Sequence, residues 1–296
     1  LKVLVTGGSG LIGTATTQAL LAEGHDVVNV DREPTRVAVR HYNLDVADAV
    51  AVREIFEKEH PDAVLHLAAQ ISVPSSVADP LRDMHDNIQG ALSVFEAARH
   101  TGTRRVVLAS SAAVYGNGAV PPITEEVPLE PNSPYGVSKV AGELYLRGFY
   151  REFFTYAVLR YGNVYGPQQS YQSGAVIAKM VHDALTEQCI HVDGDGTQER
   201  DFVHVRDVAH LNVLVLTNPQ SFVANVGSGR PVQIMDIVRV IREELGQSVT
   251  VQHHPTRPGD IHASYYDAAR IQRLLQWKPS ISLREGIRQV IEAQRR

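Results

Sequence analysis

Gly7-Gly8-Ser9-Gly10-Leu11-Ile12-Gly13 is the segment that most restricts what this chain can fold into. Before it runs Lys2-Val3-Leu4-Val5-Thr6, a short apolar stretch that reads as a buried strand. After it comes a helical stretch ending near Glu23-Gly24, then Asp26-Val27-Val28-Asn29-Val30 as a second strand. Strand, glycine turn, helix and strand close a βαβ unit, which implies parallel strands and a right-handed crossover. Gly7, Gly10 and Gly13 give the spacing GxxGxxG. Glycines there permit a tight turn and let backbone N–H groups approach a pyrophosphate at the positive end of the helix. Asp31, at the end of the second strand, is placed to accept hydrogen bonds from an adenosine ribose. An acid at that point disfavours the additional phosphate of NADP, whereas Arg32 and Arg36 favour it; NAD is the expected dinucleotide.

The alternation continues with apolar runs at 63–67, 105–109 and 156–159 and helical stretches near 50–59, 81–99 and 134–151. Strands alternating with helices predict an α/β fold, a doubly wound parallel sheet of Rossmann type. Beyond Gly162 the rhythm loosens, and residues 166–174 and Asp193-Gly194-Asp195-Gly196 read as loops around one helix. A helix over 207–216 and a strand over Phe222–Val226 are expected to return to the main sheet. The expected division is therefore a dinucleotide-binding domain of 1–162 plus about 203–229, and a smaller, discontinuous C-terminal substrate-binding region of 163–202 and 230–296.

With 296 residues, 44% hydrophobic and 21% charged, the chain can bury a sizeable core in one or two domains. A net charge of -5 and a pI near 6.2 give no global basic footprint for nucleic acid or an anionic membrane. The single Cys189 excludes an intrachain disulfide framework, and without a secretory or long apolar segment the chain reads as cytoplasmic. Leu1 reads as a strand residue rather than an initiator Met, so the true start is expected to lie before it. The 13 His are scattered, with no HExxH and no Cys/His cluster, so no metal is expected.

Tyr135-Gly136-Val137-Ser138-Lys139 places a phenol and an ammonium four residues apart, on one face of a helix. Lys occurs only at 2, 58, 139, 179 and 278, which makes the pairing less generic. A neighbouring cation favours the phenolate, so this spacing predicts a tyrosine with a lowered pKa that serves as a base.

With the loop and this pair in place, the chain resembles the extended short-chain dehydrogenase/reductase family. Within it, the chain looks like the NAD-dependent UDP-glucose (UDP-galactose) 4-epimerases. The resemblance spans nearly the whole chain: Thr6 to Gly13, Leu44-Asp45-Val46-Ala47-Asp48, His66-Leu67-Ala68-Ala69, Ser110-Ser111-Ala112-Ala113-Val114-Tyr115-Gly116 and Tyr135 to Lys139. It continues through Arg160-Tyr161-Gly162-Asn163-Val164-Tyr165-Gly166-Pro167, Glu199-Arg200-Asp201-Phe202-Val203-His204-Val205 and Arg257-Pro258-Gly259-Asp260. It implies that Gly7, Gly10, Leu11, Ile12, Gly13, Asp31 and Arg32 hold NAD, that Asp45 and Val46 flank its adenine, and that Leu67, Ala68 and Ala69 line its path. Asn87, Tyr161, Tyr135 and Lys139 are implied to touch the same cofactor. Gly162 stands where an aromatic is commoner.

The resemblance also implies the chemistry. Tyr135 as phenolate removes the proton of the sugar 4-hydroxyl, Lys139 stabilises the phenolate, and Ser111 hydrogen-bonds the 4-oxygen. Ser110 could cap the strand end as well as Ser111, but Ser111 directly precedes Ala-Ala-Val-Tyr-Gly, matching the family's catalytic hydroxyl. Ala112-Ala113 replaces the Asp-Glu pair of the related dehydratases, and two methyl groups can neither give nor take a proton. Arg200 and Arg257 match pyrophosphate ligands, with bidentate guanidinium geometry suited to them. Asn163 is a candidate substrate contact, and Asp260 is expected to orient Arg257 or a ribose hydroxyl of the substrate. Ser264 matches the position that gates the sugar pocket, where a small residue leaves room for a 2-acetamido group. The expected substrates are UDP-glucose and UDP-galactose, with the N-acetylhexosamine pair alongside. The rival readings are a nucleotide-sugar oxidoreductase with net NAD(H) turnover, an epimerase of another sugar such as UDP-glucuronate, and a non-enzymatic NAD sensor. A homodimer is implied, packed through the helices near 81–99 and 134–151.

Overall fold

The computed structural model describes residues 1–246, 248–256 and 261–295. Its main sheet has seven strands. In chain order the first six are β1 (Lys2–Thr6), β2 (Asp26–Asp31), β3 (Arg40–Asn43), β4 (Ala63–His66), β5 (Arg105–Ser111) and β6 (Thr155–Tyr161). Across the sheet the order is Phe222–Val226, β6, β5, β4, β1, β2, β3, and β1 to β6 pair in parallel. Val3, Leu4, Val5, Val64, Leu65, Val106 and Val107 are all fully buried. Strands covered on both faces read as unbroken apolar runs, and that is why the sequence reveals them. The strand order reverses between β4 and β1, and in such sheets ligands bind outside the carboxyl ends at that point.

The helices over residues 1–161 include α1 (Leu11–Ala22), α2 (Ala49–Glu59), α3 (Val73–Ala78), α4 (Pro80–Met84), α5 (Gly90–Thr101) and α6 (Pro134–Gly148), and the helix Val205–Thr217 precedes the last strand of the sheet. The single helix expected over 81–99 is interrupted by a π-helical turn, His85–Gln89, between α4 and α5. Strand β3 was not expected. Its residues Arg-His-Tyr-Asn lie at the sheet edge, half-buried or exposed, and so carry no apolar signal. Tyr42 donates to Glu59 Oε1 at 2.5 Å and Arg40 pairs with the same carboxylate.

The chain divides into two compact units. The first comprises Leu1–Ala119, Glu125–Tyr161 and Val208–Asn225; the second comprises Val120–Thr124, Gly162–Asp207 and the described residues of Val226–Arg296. The second unit has a core of Ile177, Val181, Ile190, Ile237, Ile241 and Ile287, each 1% exposed or less. Around it lie short ladders: Asn163–Tyr165 with Phe202–His204, Cys189–Asp193 with Thr250–His254, and Glu199–Arg200 between Val232–Gln233 and Ala263–Ser264.

Candidate active site

The glycine loop is shaped by close packing. Gly7 has φ +72°, and a Cβ built on it would meet Ala68 N at 2.6 Å. A Cβ on Gly13 would meet Gly7 O at 2.2 Å and Gly8 Cα at 2.5 Å. Gly10, by contrast, faces open space apart from Gly7 O at 3.4 Å. It is the N-cap of α1 and offers no side-chain cap, whereas α2 and α6 are capped by Asp48 and Ser133. The first-turn N–H groups of α1, around half-buried Leu11 and Ile12, therefore have an anion-binding character that the glycines leave accessible.

Asp31 braces this loop: Oδ2 accepts from Ser9 N and Oδ1 from Glu33 N, each at 2.9 Å. Each oxygen keeps a further lone pair for a ribose hydroxyl. Arg32 lies 3.3 Å from Asp45 Oδ2 and 3.4 Å from Asp86 Oδ2. Held by two carboxylates, it is ill placed to receive an additional phosphate, which favours NAD. Asp45, His85 and Asp86 bring three ligand atoms together, but Arg32 and Arg82 pair with this group. Val46 is 6% exposed and packed in the core. Leu67, Ala68 and Ala69 leave the carboxyl end of β4 half-buried, with Leu67 N donating to Thr6 O at 3.0 Å.

Asn87 is spent on protein partners. Its Nδ2 reaches Gln70 O, Asp83 Oδ1 and Ser138 Oγ at 3.0, 3.0 and 3.1 Å, and its Oδ1 accepts from Gln70 N at 2.8 Å. Tyr161 is likewise an anchor: its hydroxyl donates to Asn212 Oδ1 at 2.7 Å, and Asn212 reaches Thr16 of α1 at 3.0 Å.

Ser111, Tyr135 and Lys139 come together where β5 meets α6. Pro134 opens α6, Ser133 Oγ accepts from Gly136 N at 3.1 Å, and Gly136 lets the helix approach Ala113 O. The Tyr135 phenol faces the Ser111 hydroxyl closely enough for that hydroxyl to favour the phenolate, and Ser111 Oγ accepts from Ala113 N at 3.2 Å. Lys139 Nζ donates to Ala109 O at 3.0 Å and lies 5.7 Å from the Tyr135 ring centroid. Tyr135 and Lys139 are 9% and 8% exposed. Burial pushes the Tyr135 pKa above its ordinary value; the Ser111 hydroxyl opposes this and Asp83 adds to it. Burial also lowers Lys139 to about 8, against the opposing influence of Asp83 and Glu143. The lowered phenol expected from the spacing is thus not found in the protein alone. The ammonium is turned toward a backbone carbonyl, and desolvation dominates.

His66, at the end of β4, is buried with its Nδ1 2.7 Å from Thr6 Oγ1. Burial and then the Lys139 charge lower its pKa from 6.5 to about 3. The unfolded chain therefore binds this proton first. The stability it contributes is fully present above pH 6.5 and is lost as pH falls toward 3. We expect about 2 kcal/mol to be lost between pH 7 and pH 5. Urea titrations of wild type and His66→Gln check this, and an equally steep acid loss in the variant would exclude His66 as the cause.

In the second unit, Arg200 is in register with Ser264 on one neighbouring strand and Val232 on the other. Ser264 Oγ lies 2.6 Å from Tyr266 OH. Asn163 Nδ2 donates to Asp201 O at 3.0 Å, while the buried Asp201 carboxylate accepts from Ser228 N and Oγ and from Gly229 N. Gly162 leaves the space that the Tyr266 ring fills, since a Cβ there would lie 3.1 Å from Cε2. Arg257 and Asp260 lie outside the described residues.

The model of the NAD dependent epimerase/dehydratase family matches residues 3–227. The chain belongs to that family. UDP-glucose 4-epimerase of Mycolicibacterium smegmatis is 35% identical, covering 99% of this chain and 98% of the relative. The structure of a Thermotoga maritima UDP-glucose 4-epimerase with UDP-glucose matches with a TM-score of 0.95 at 34% identity, covering 100% of this chain and 99% of that one. A UDP-N-acetylglucosamine 4-epimerase from Methanobrevibacter ruminantium M1, in complex with UDP-N-acetylmuramic acid, matches at 0.92 and 33%, covering 99% and 97%.

Two groups around this family member's β5–α6 junction escaped the sequence reading, Asp83 and Glu143, and Ser110 was read only as a strand-end cap. Asp83 is 2% exposed and accepts from Gln70 Nε2 and Asn87 Nδ2, each at 3.0 Å. Glu143 continues the i, i+4 face of Tyr135 and Lys139 by one more turn, a spacing visible in the sequence.

Proposed function

We propose that this chain is an NAD-dependent 4-epimerase of UDP-hexoses that passes through a transient 4-keto sugar. The junction of Ser111, Tyr135 and Lys139, on the same sheet as an uncapped, glycine-lined helix start, carries the reading. Gly7, Gly10, Leu11, Ile12, Gly13, Asp31 and Arg32 are assigned to NAD, with Asp45, Val46, Leu67, Ala68 and Ala69 beside it. Asn87 and Tyr161 hold those segments in place. NAD, when bound, would supply a reversible two-electron acceptor and a positive charge to the site. Tyr135 takes the proton of the 4-hydroxyl and later returns it to the 4-oxygen, while Ser111 holds that oxygen. Lys139, still largely protonated at neutral pH with its pKa near 8, supplies a fixed positive charge next to them. Ala112 and Ala113 provide no second acid or base, which favours epimerisation over loss of water. Asn163, Arg200 and Ser264, with Arg257 and Asp260, are assigned to the nucleotide sugar.

Incubation with UDP-galactose tests the reading. It predicts UDP-glucose without net reduction of added NAD; a stoichiometric reduction would support the oxidoreductase instead. Ser264 is assigned to the sugar gate, so Ser264→Tyr should lower kcat/KM for UDP-GlcNAc about 10-fold or more, with UDP-galactose affected far less. Equal effects on both substrates would refute the gate.

A homodimer belongs to the same reading. Leu81, Met84, Val137, Leu144, Tyr145 and Phe149 are exposed apolar side chains on α4, α6 and the residue after it. Light scattering should give twice the chain mass, and Leu81→Glu with Leu144→Glu should halve it; a monomeric wild type would exclude the assignment. No helix among the described residues is long and apolar enough to cross a membrane. The single Cys189, which leaves no intrachain disulfide, favours the cytoplasm.

A further inference from the structure

Helix α6 touches the carboxyl end of β5 at three successive turns of one face. Tyr135 meets Ser111, Lys139 meets Ala109 O, and Glu143 meets Ser110, whose Oγ donates to Glu143 Oε1. The first two contacts belong to the chemistry already assigned. The third is buried more deeply, with Glu143 0% and Ser110 3% exposed. Arg160 of β6, 2% exposed, clamps Glu143 with Nε to Oε1 at 3.0 Å and Nη2 to Oε2 at 2.6 Å. Its Nη1 reaches Tyr115 OH at 3.0 Å and Glu125 O at 3.3 Å. Tyr115 in turn donates to Asn225 Oδ1 at 2.6 Å.

A buried ion pair is poor value as a source of stability, because well-packed apolar residues of similar volume do as well or better. Its directional bonds do something apolar packing cannot: they fix the slide and rotation of α6 against β5. A slip of one helix against a strand by a fraction of an ångström would part Tyr135 from Ser111 and Lys139 from Ala109 O. We propose that Ser110, Glu143 and Arg160 are positioning residues that set the register of the catalytic helix on β5. This rests on the epimerase reading of Tyr135, Ser111 and Lys139.

Ser110→Ala removes the third contact and leaves the ion pair whole. The proposal expects kcat on UDP-galactose to fall about 10-fold, with KM within twofold and the melting temperature nearly unchanged. The double variant Glu143→Leu/Arg160→Met removes both charges together. It is expected to stay folded and bind NAD while losing at least as much kcat. Wild-type kcat in either variant, or a loss in Ser110→Ala that follows KM or melting temperature, would overturn the proposal. Ser110→Ala decides alone if the double variant fails to fold. Inactivity of the wild type on UDP-galactose would instead contradict the epimerase reading itself.

Discussion

Tyr135→Phe is expected to lower kcat on UDP-galactose by about 10³-fold, with KM changed only a few-fold and NAD still bound. Phenylalanine keeps the ring where Tyr135 is buried in the first turn of α6 and removes only the hydroxyl. Ser111 cannot replace it, since an alkyl hydroxyl is a far weaker acid than a phenol and its oxygen already accepts from Ala113 N. Burial holds the resting phenol protonated, so the group must be pushed to give and take its proton by positive charge in the loaded site. Steady-state kinetics on the purified variant measures the effect. A loss under tenfold would remove Tyr135 from the proton-transfer role.

Gly13→Ala should have the second large effect, on cofactor and fold together. The added Cβ meets backbone atoms of Gly7 and Gly8, which cannot rotate away as a side chain could. Forced overpacking of this kind costs about 1–3 kcal/mol, and here the displaced atoms are the loop itself. NAD affinity should fall at least tenfold, roughly 1.4 kcal/mol, alongside a lower unfolding midpoint. Gly10→Ala separates the two consequences. Its Cβ meets little in the protein, so stability should hold while NAD affinity drops. Calorimetric titration with NAD and urea unfolding of both variants provide the comparison, and wild-type affinity in Gly13→Ala would refute the loop's assignment.

These expectations draw on a fold that was largely legible before any coordinates. Val3 to Val5, Val64-Leu65 and Val106-Val107 are buried on both faces, and such strands leave a continuous apolar trace. Edge strand β3 leaves none, because its four residues are half-buried or exposed, with Tyr42 and Arg40 held by Glu59. The short ladders of the second unit, some only two residues long, are set by packing partners distant in sequence. At the site, spacing brought Tyr135 and Lys139 to one helix face but did not show that burial raises the phenol in the protein alone. Spacing does not report burial, and it does not show that Lys139 turns to Ala109 O. Asn87 was read as a cofactor contact from its place in the sequence, which did not show that its amide also ties Gln70, Asp83 and Ser138 together. Ser111 was preferred to Ser110 from the motif that follows it; in the structure Ser110 donates to Glu143, while Ser111 faces Tyr135.

The central claim is that the bond broken and remade is the C4–H bond of a UDP-hexose, with its electrons kept in the same turnover. UDP-galactose deuterated at C4 tests this most directly. The account predicts UDP-glucose that retains the deuterium at C4 when the reaction is run in ordinary water. Deuterium exchanged into solvent, or carried away in free reduced cofactor with no UDP-glucose formed, would contradict it.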